Sequence, residues 1–248
     1  MSNKEAYTNF AHVYDELMSD IPYDSYVELL SLPLNGLKER KIIDIGCGTG
    51  LLSVKLAKAG AEVTGIDLSK DMLSVAKKRA GDLSTEIEFV EQPMQEIEGA
   101  PEYDAAVIAI DSLNYLPDRE SVLQTFKGVH SVLKNGGLLM FDVHSIFKTD
   151  VIFMEGPFTF DNDRIAYIWE TEEGDAEHSV YSELAFFVKE ENGLYRRFDE
   201  SHQQRTFHVN EYVDLLREAN FTIERIFADW EDEPPHEESE RIFYQVRK

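Results

Sequence analysis

Two aspartates and three alternating glycines lie in one short stretch, IIDIGCGTGLLSVKLAKAGAEVTGIDLS, from Ile42 to Ser69. The glycines at 46, 48 and 50 remove side chains that would hold a ligand away from the backbone. Free amides at the start of a following helix attract negative charge. Asp67, at the end of a second apolar segment, is placed to accept hydrogen bonds from the two hydroxyls of a ribose. Together these residue types point to an adenosine-containing ligand.

The elements that must position them are legible on either side. Ile42, Ile43 and Ile45 lie in a short apolar run, Lys41 to Gly46, of the kind buried on both faces of a parallel sheet. Leu51, Leu52, Val54, Leu56 and Ala57 recur at helical spacing, and Gly60 supplies a stop. Ala61 to Ile66 alternates into a second strand. Ser69 caps a predicted helix from Lys70 to Ala80, ended by Gly81. Strands follow at Ile87 to Val90, Asp104 to Ile110 and Gly137 to Val143, with a helix over Asp118 to Leu133. Near the end, Phe221 to Trp230 and Glu240 to Val246 read as an antiparallel pair joined by the acidic, proline-containing loop EDEPPHEESE. Strand alternating with helix predicts a parallel sheet covered on both sides, with ligand at the carboxyl ends of its strands.

The glycine spacing narrows the ligand. A dinucleotide site needs GxGxxG, but the sixth position from Gly46 is Leu51 and the glycine falls one place early. The stretch Asp44, Ile45, Gly46, Cys47, Gly48, Thr49, Gly50, with Asp67 behind it, resembles the first motif of the class I S-adenosylmethionine-dependent methyltransferases. That resemblance covers most of residues 36–145 and 208–248. It implies a Rossmann-like α/β fold whose seven-stranded, mostly parallel sheet ends in an antiparallel hairpin. The cofactor it implies is S-adenosyl-L-methionine.

By the same resemblance, Asp44, Gly46, Cys47, Gly48, Gly50, Asp67 and Leu68 are expected to bind the cofactor. Gln92 and Met94 are expected beside the adenine, because Pro93 occupies the place where the family carries an acid; Gln95 is an alternative polar contact. Asp111, in AIDSLNY, is expected to attract the charged methionine part, with Asn114 and Tyr115 orienting an acceptor. Residues 1–35 are expected to form a helical cover, with Tyr7, Phe10, Tyr14 and Leu17 on one face and Tyr14 against the cofactor; core packing is the alternative for that stripe. His144, in FDVHS, is the candidate base for a hydroxyl acceptor, or else a backbone-capping residue. An amine acceptor arriving neutral needs no base.

Residues 146–207 interrupt the core. Phe158 to Glu170, Ser179 to Glu190 and Leu194 to Phe207 are expected as three antiparallel strands, the last two joined at Asn192-Gly193. This inserted sheet is expected to cap and select the substrate, or to form a homodimer surface. Arg164, Arg196, Arg197 and Arg205 are read as partners of surface carboxylates, with binding of an anionic substrate as the alternative. His202 and His208 are read as outward polar residues.

A formal net charge of -24 opposes nucleic-acid and anionic-membrane partners. The single cysteine, Cys47, the lack of an apolar leader at MSNKEAYTNF and the absence of HExxH, CxxC, GxSxG and P-loop motifs predict a cytoplasmic protein without a metal centre. The function expected is methyl transfer to a small-molecule acceptor by in-line displacement. The alternatives are a noncatalytic S-adenosylmethionine-binding protein and, less favoured, a nicotinamide-type oxidoreductase.

Overall fold

The computed structural model describes residues 21–248, so Tyr7, Phe10, Tyr14 and Leu17 lie outside the described residues. Helix α1 (Tyr23–Leu34) precedes β1 (Lys41–Ile45), α2 (Leu51–Lys58), β2 (Glu62–Asp67), α3 (Lys70–Asp82) and β3 (Ile87–Glu91). There follow β4 (Tyr103–Ile108), a short helical turn Ser112–Tyr115, α4 (Arg119–Val132) and β5 (Leu133–His144). The inserted strands are β6 (Phe158–Asp161), β7 (Ile165–Glu173), β8 (Ser179–Lys189) and β9 (Tyr195–Arg205). The chain returns through α5 (Val209–Glu218), β10 (Thr222–Ala228) and β11 (Arg241–Arg247).

Local chemistry sets several of these boundaries. Ser69 Oγ accepts from the Met72 amide at 3.3 Å and opens α3; Asp118 Oδ1 accepts from the Ser121 amide at 2.8 Å and opens α4. Helix α3 runs past Gly81 to Asp82, so that glycine is not the stop expected of it. The chain instead leaves the helix at Ser84, which takes the left-handed conformation, φ +53°, usual for a glycine stop.

The main sheet has the order β3-β2-β1-β4-β5-β11-β10. Strands β1 to β5 pair in parallel, and β11 runs antiparallel to both β5 and β10. Strand order reverses between β1 and β4, which opens a crevice at their carboxyl ends. Apolar clusters cover both faces. Phe126, Phe141, Tyr212 and Tyr244 pack on the side of α4 and α5, and Tyr26, Leu30, Leu56 and Phe243 on the side of α1 and α2. Each such fully buried side chain contributes roughly 1.5–3 kcal/mol.

The inserted strands make a separate antiparallel sheet, β6-β7-β8-β9. The first expected strand is two: Asn162 Oδ1 accepts from the amides of Arg164 and Ile165 and turns the chain between β6 and β7. An Asx turn in the run Asp161-Asn162-Asp163 was the overlooked signal. Gly193 takes φ +80° in the β8–β9 hairpin, as its Asn-Gly sequence predicted.

Candidate functional site

The glycine turn sits in the crevice between β1 and β4. Gly46, Gly48 and Gly50 all have φ between +53° and +74°, the left-handed region that side chains disfavour. Around Gly50 the space is filled, since a Cβ there would meet Ala76 Cβ at 2.9 Å. Around Gly48 it is open, with nothing within 4 Å of where a Cβ would stand. One glycine therefore lets α2 and α3 approach, and the other leaves the backbone bare toward the cleft.

Asp67 closes the far side of this turn. Its Oδ2 accepts from the Gly48 amide at 2.8 Å and its Oδ1 from the Ser69 amide at 2.8 Å. Leu68, beside it, is 70% exposed, an apolar surface held open at the rim. Gln92 donates to the Glu96 carbonyl, and its amide bonds the Asp67 carbonyl at 3.0 Å. Met94 packs toward Gly46 from the short helix that follows Pro93.

Asp44 lies beneath the turn, 2% exposed, and accepts from Ser53 Oγ. Burial, with Asp67 nearby, pushes its carboxyl up to about 7 despite the Ser53 bond. Cys47 is buried, and desolvation with the two neighbouring carboxylates raises its thiol far above the range of a reactive cysteine. Its contribution at the cleft is backbone and bulk.

The other wall follows β4. Ile110 and Asp111 both have positive φ, +56° and +49°, a costly state for a β-branched residue. Asp142, fully buried on β5, holds them there: its carboxylate accepts from the amides of Ile110 at 2.9 Å and Asp111 at 3.0 Å, and from Tyr26 Oη at 2.7 Å. Arg241 from β11 bonds Asp142 and reaches Asp111 Oδ1 at 2.8 Å. Asp111 Oδ2 also meets His144 Nε2 at 3.3 Å and Gln204 Nε2 at 2.9 Å. Burial opposes ionisation of Asp111, but His144 and Arg241 hold its carboxyl well below the usual range. Asp111 is thus committed to side chains of this chain, and its charge toward the cleft is largely offset by Arg241.

His144 is buried, its ring edge-on to Phe153, and its Nδ1 has no hydrogen-bond partner among the described residues. Its backbone carries the capping role: the amide donates to Asn114 Oδ1 and the carbonyl accepts from Thr206 Oγ1. Tyr115, by contrast, is 49% exposed. Its hydroxyl lies 3.2 Å from His202 Nδ1, and His202 Nε2 lies 3.1 Å from Glu200 Oε2. His202 therefore turns inward, contrary to the outward reading. Arg196 and Arg197 pair with Glu190 and Asp199, while Arg205 bonds the carbonyls of Glu177 and Pro117.

Sequence reasoning missed Tyr26, Asp142, Gln204 and Arg241. Only Asp142, inside an apolar strand and two residues before His144, left a local signal, as a charge where burial was expected. Among the described residues no group of His, Cys, Asp and Glu is arranged to hold a metal ion. A broader depression of about 700 Å³ opens at the opposite, amino ends of the strands, among Lys41, Glu62, Glu86 and Glu102, away from the glycine turn.

Residues 42–137 match the family model described as a methyltransferase domain. The chain is 46% identical over 98% of its length to the Bacillus subtilis (strain 168) protein YqeM, named as a methyltransferase, of which the match covers 97%. The chain belongs to the class I S-adenosylmethionine-dependent methyltransferases. A solved S-adenosylmethionine-dependent methyltransferase from Clostridium acetobutylicum ATCC 824 superposes with a TM-score of 0.88 at 27% identity, covering 98% of each chain. The amino pentose methyltransferase CalS10 of Micromonospora echinaspora, solved with S-adenosylmethionine bound, has the same fold at 16% identity. Its TM-score is 0.70, over 91% of this chain and 90% of its own. The cofactor of this methyltransferase is S-adenosylmethionine, and the open cradle over Gly48 beside the Asp67 carboxylate fits it.

Proposed function

We propose that this methyltransferase acts on a small-molecule acceptor, bound between the β4 loop and the inserted sheet, by in-line transfer. The observation that carries this reading is the tie between the two. Gln204 bonds Asp111, Tyr115 meets His202, Asn114 Nδ2 donates to the Arg205 carbonyl at 2.7 Å, and Arg205 bonds Pro117. A roof fixed to the lip of the cleft restricts what enters to a compact molecule. The acidic surface disfavours polyanions.

When bound, the cofactor supplies an electrophilic methyl group on a sulfonium. The chain supplies position: Gly46, Cys47, Gly48 and Gly50 present backbone, Asp67 offers its carboxylate to the ribose hydroxyls, and Leu68, Gln92 and Met94 frame the adenine. Asp44 stands under the turn as a buried carboxyl, and Asp111 fixes the loop that carries Tyr115; Asn114, expected to orient an acceptor, is instead buried and ties that loop to β5 and β9. Holding reacting atoms in line lowers the barrier by roughly 7–11 kcal/mol at best. The small acceptor that CalS10's name specifies is consistent with this reading.

The test is label transfer. Purified protein is incubated with methyl-labelled S-adenosylmethionine and a cell extract split by ultrafiltration. Label in a low-mass compound chromatographically distinct from S-adenosylmethionine and absent without the protein is the expected result. Label confined to protein or nucleic acid overturns it.

A further inference from the structure

We propose that Tyr115, His202 and Glu200 form a proton relay at the acceptor site, and that the acceptor is an uncharged phenol. The inference rests on the small-molecule reading above. Three functional groups stand in series from the helical turn after β4 to strand β9 of the inserted sheet, with Tyr115 Oη 3.2 Å from His202 Nδ1 and His202 Nε2 3.1 Å from Glu200 Oε2. With Glu200 a carboxylate, Nε2 carries the ring proton and donates to it, leaving Nδ1 to accept from the Tyr115 hydroxyl. The Tyr115 oxygen then has lone pairs left over, so it accepts a hydrogen bond from an incoming O–H.

The surrounding face indicates what carries that O–H. On β9, residues 198, 200, 202 and 204 share one face by strand alternation. His202 stands opposite Ser182 and Thr171, and Glu200 opposite Leu184, Trp169 and Phe158. The next row is Phe198, Phe186, Tyr167 and Phe160, four aromatic residues in register across the four strands. The face thus grades from a polar relay at the cleft to aromatic surface beyond it, matching a hydroxyl on an aromatic body. Glu200 beside the relay and the charge of -24 disfavour an acidic acceptor. Burial, with Asp111 and Glu200 nearby, pushes the Tyr115 hydroxyl above the ordinary phenol range, so a phenol gives up its proton more readily than Tyr115 does, whereas an aliphatic alcohol holds its proton more tightly.

The step balances as follows. The acceptor oxygen forms its bond to the methyl carbon as the carbon–sulfur bond breaks, and that bond's electron pair stays on sulfur. The acceptor proton passes to Tyr115 Oη, and the Tyr115 proton passes to His202 Nδ1. The resulting imidazolium is stabilised by Glu200, and both ring and carboxylate are about a quarter exposed, side chains 29% and 27%, so the proton leaves to water. Tyr115 would be the catalytic residue, and His202 and Glu200 act through it.

Two measurements on the full chain test this. Nitrogen NMR of the His202 ring reads the tautomer: Nε2–H in the native protein is expected, with a redistribution toward Nδ1–H in Glu200→Gln. An unchanged ring spectrum in that variant overturns the relay. In the second, 4-nitrophenol is added, at a pH low enough that the free probe is uncharged, to protein saturated with S-adenosylhomocysteine, and its absorbance reads its ionisation. Bound probe is expected to be ionised in the native chain and at least tenfold less so in His202→Gln, with folding checked by retained binding of S-adenosylhomocysteine. Equal ionisation in both overturns the proposal. If 4-nitrophenol fails to bind while benzylamine binds and is methylated, the small-molecule reading stands and the phenol does not. If neither binds, the phenol falls, and the small-molecule reading is decided by the label-transfer test above.

Discussion

Asp67 is held by two backbone amides, so its position does not depend on a ligand being present. Replacing it with alanine is expected to leave the fold intact and to weaken S-adenosylmethionine binding by about 1.5–3 kcal/mol, a charge-assisted hydrogen bond's worth. Calorimetric titration of native and Asp67→Ala protein measures this, and equal affinities remove Asp67 from ribose binding. Asp44 makes a different prediction. Folded, it titrates at about 7; unfolded, it titrates at the roughly 3.9 of a free aspartate. Between those values the folded state binds the extra proton, so stability contributed at this site falls as pH rises through that window and levels off above it. Asp44→Asn removes the titration. The Tm of the native protein minus that of the variant is expected to decrease from about pH 4 to about pH 7; a constant difference would show that Asp44 is not the group responsible.

At the scale of elements, the loop after β4 is the costly piece, with two successive residues at positive φ. Asp142 compensates by binding both of their amides as well as Tyr26 and Arg241. Asp142→Ala would leave the Arg241 guanidinium, 17% exposed, without its nearest carboxylate. A loss of about 3–5 kcal/mol is expected in urea unfolding; a loss below about 1 kcal/mol would show that the loop does not need this grip. How much of this was readable from sequence depends on how locally each feature is encoded. Strands β1 and β2, the glycine turn and the hairpin at Gly193 carry their signals within a few residues. The Arg241 bonds span 99 and 130 positions, which no periodicity reports. The inward face of β9 was hidden for another reason: from Asp199 to Arg205 its residues are polar on both faces, so alternation cannot say which side is buried.

For the whole molecule, the seven-stranded, mostly parallel sheet with its antiparallel end and the separate inserted antiparallel sheet follow the expected architecture, though the insertion has four strands where three were expected, because the order of elements in an α/β chain constrains how they can stack. The placement of the insertion's side chains over the β4 loop was legible only in part, since it depends on long-range pairing. Charge acts at this scale too. A net -24 on one chain is self-repelling, so added sodium chloride is expected to raise Tm by several degrees through screening. A Tm indifferent to salt would mean that the carboxylates are locally compensated. No described helix is long and apolar enough to cross a membrane.

Strand β11 enters the main sheet one place in from its edge, between β5 and β10, and brings Arg241 to two carboxylates laid down by much earlier segments. During synthesis on the ribosome, β1 to β5 emerge while Asp111 and Asp142 still face each other without their counter-ion. The cleft's second wall can therefore take its final shape only after the last strand has docked. A nascent chain in which β11 has not yet emerged would hold the glycine turn but lack the Arg241 bonds that neutralise the carboxylates of Asp111 and Asp142.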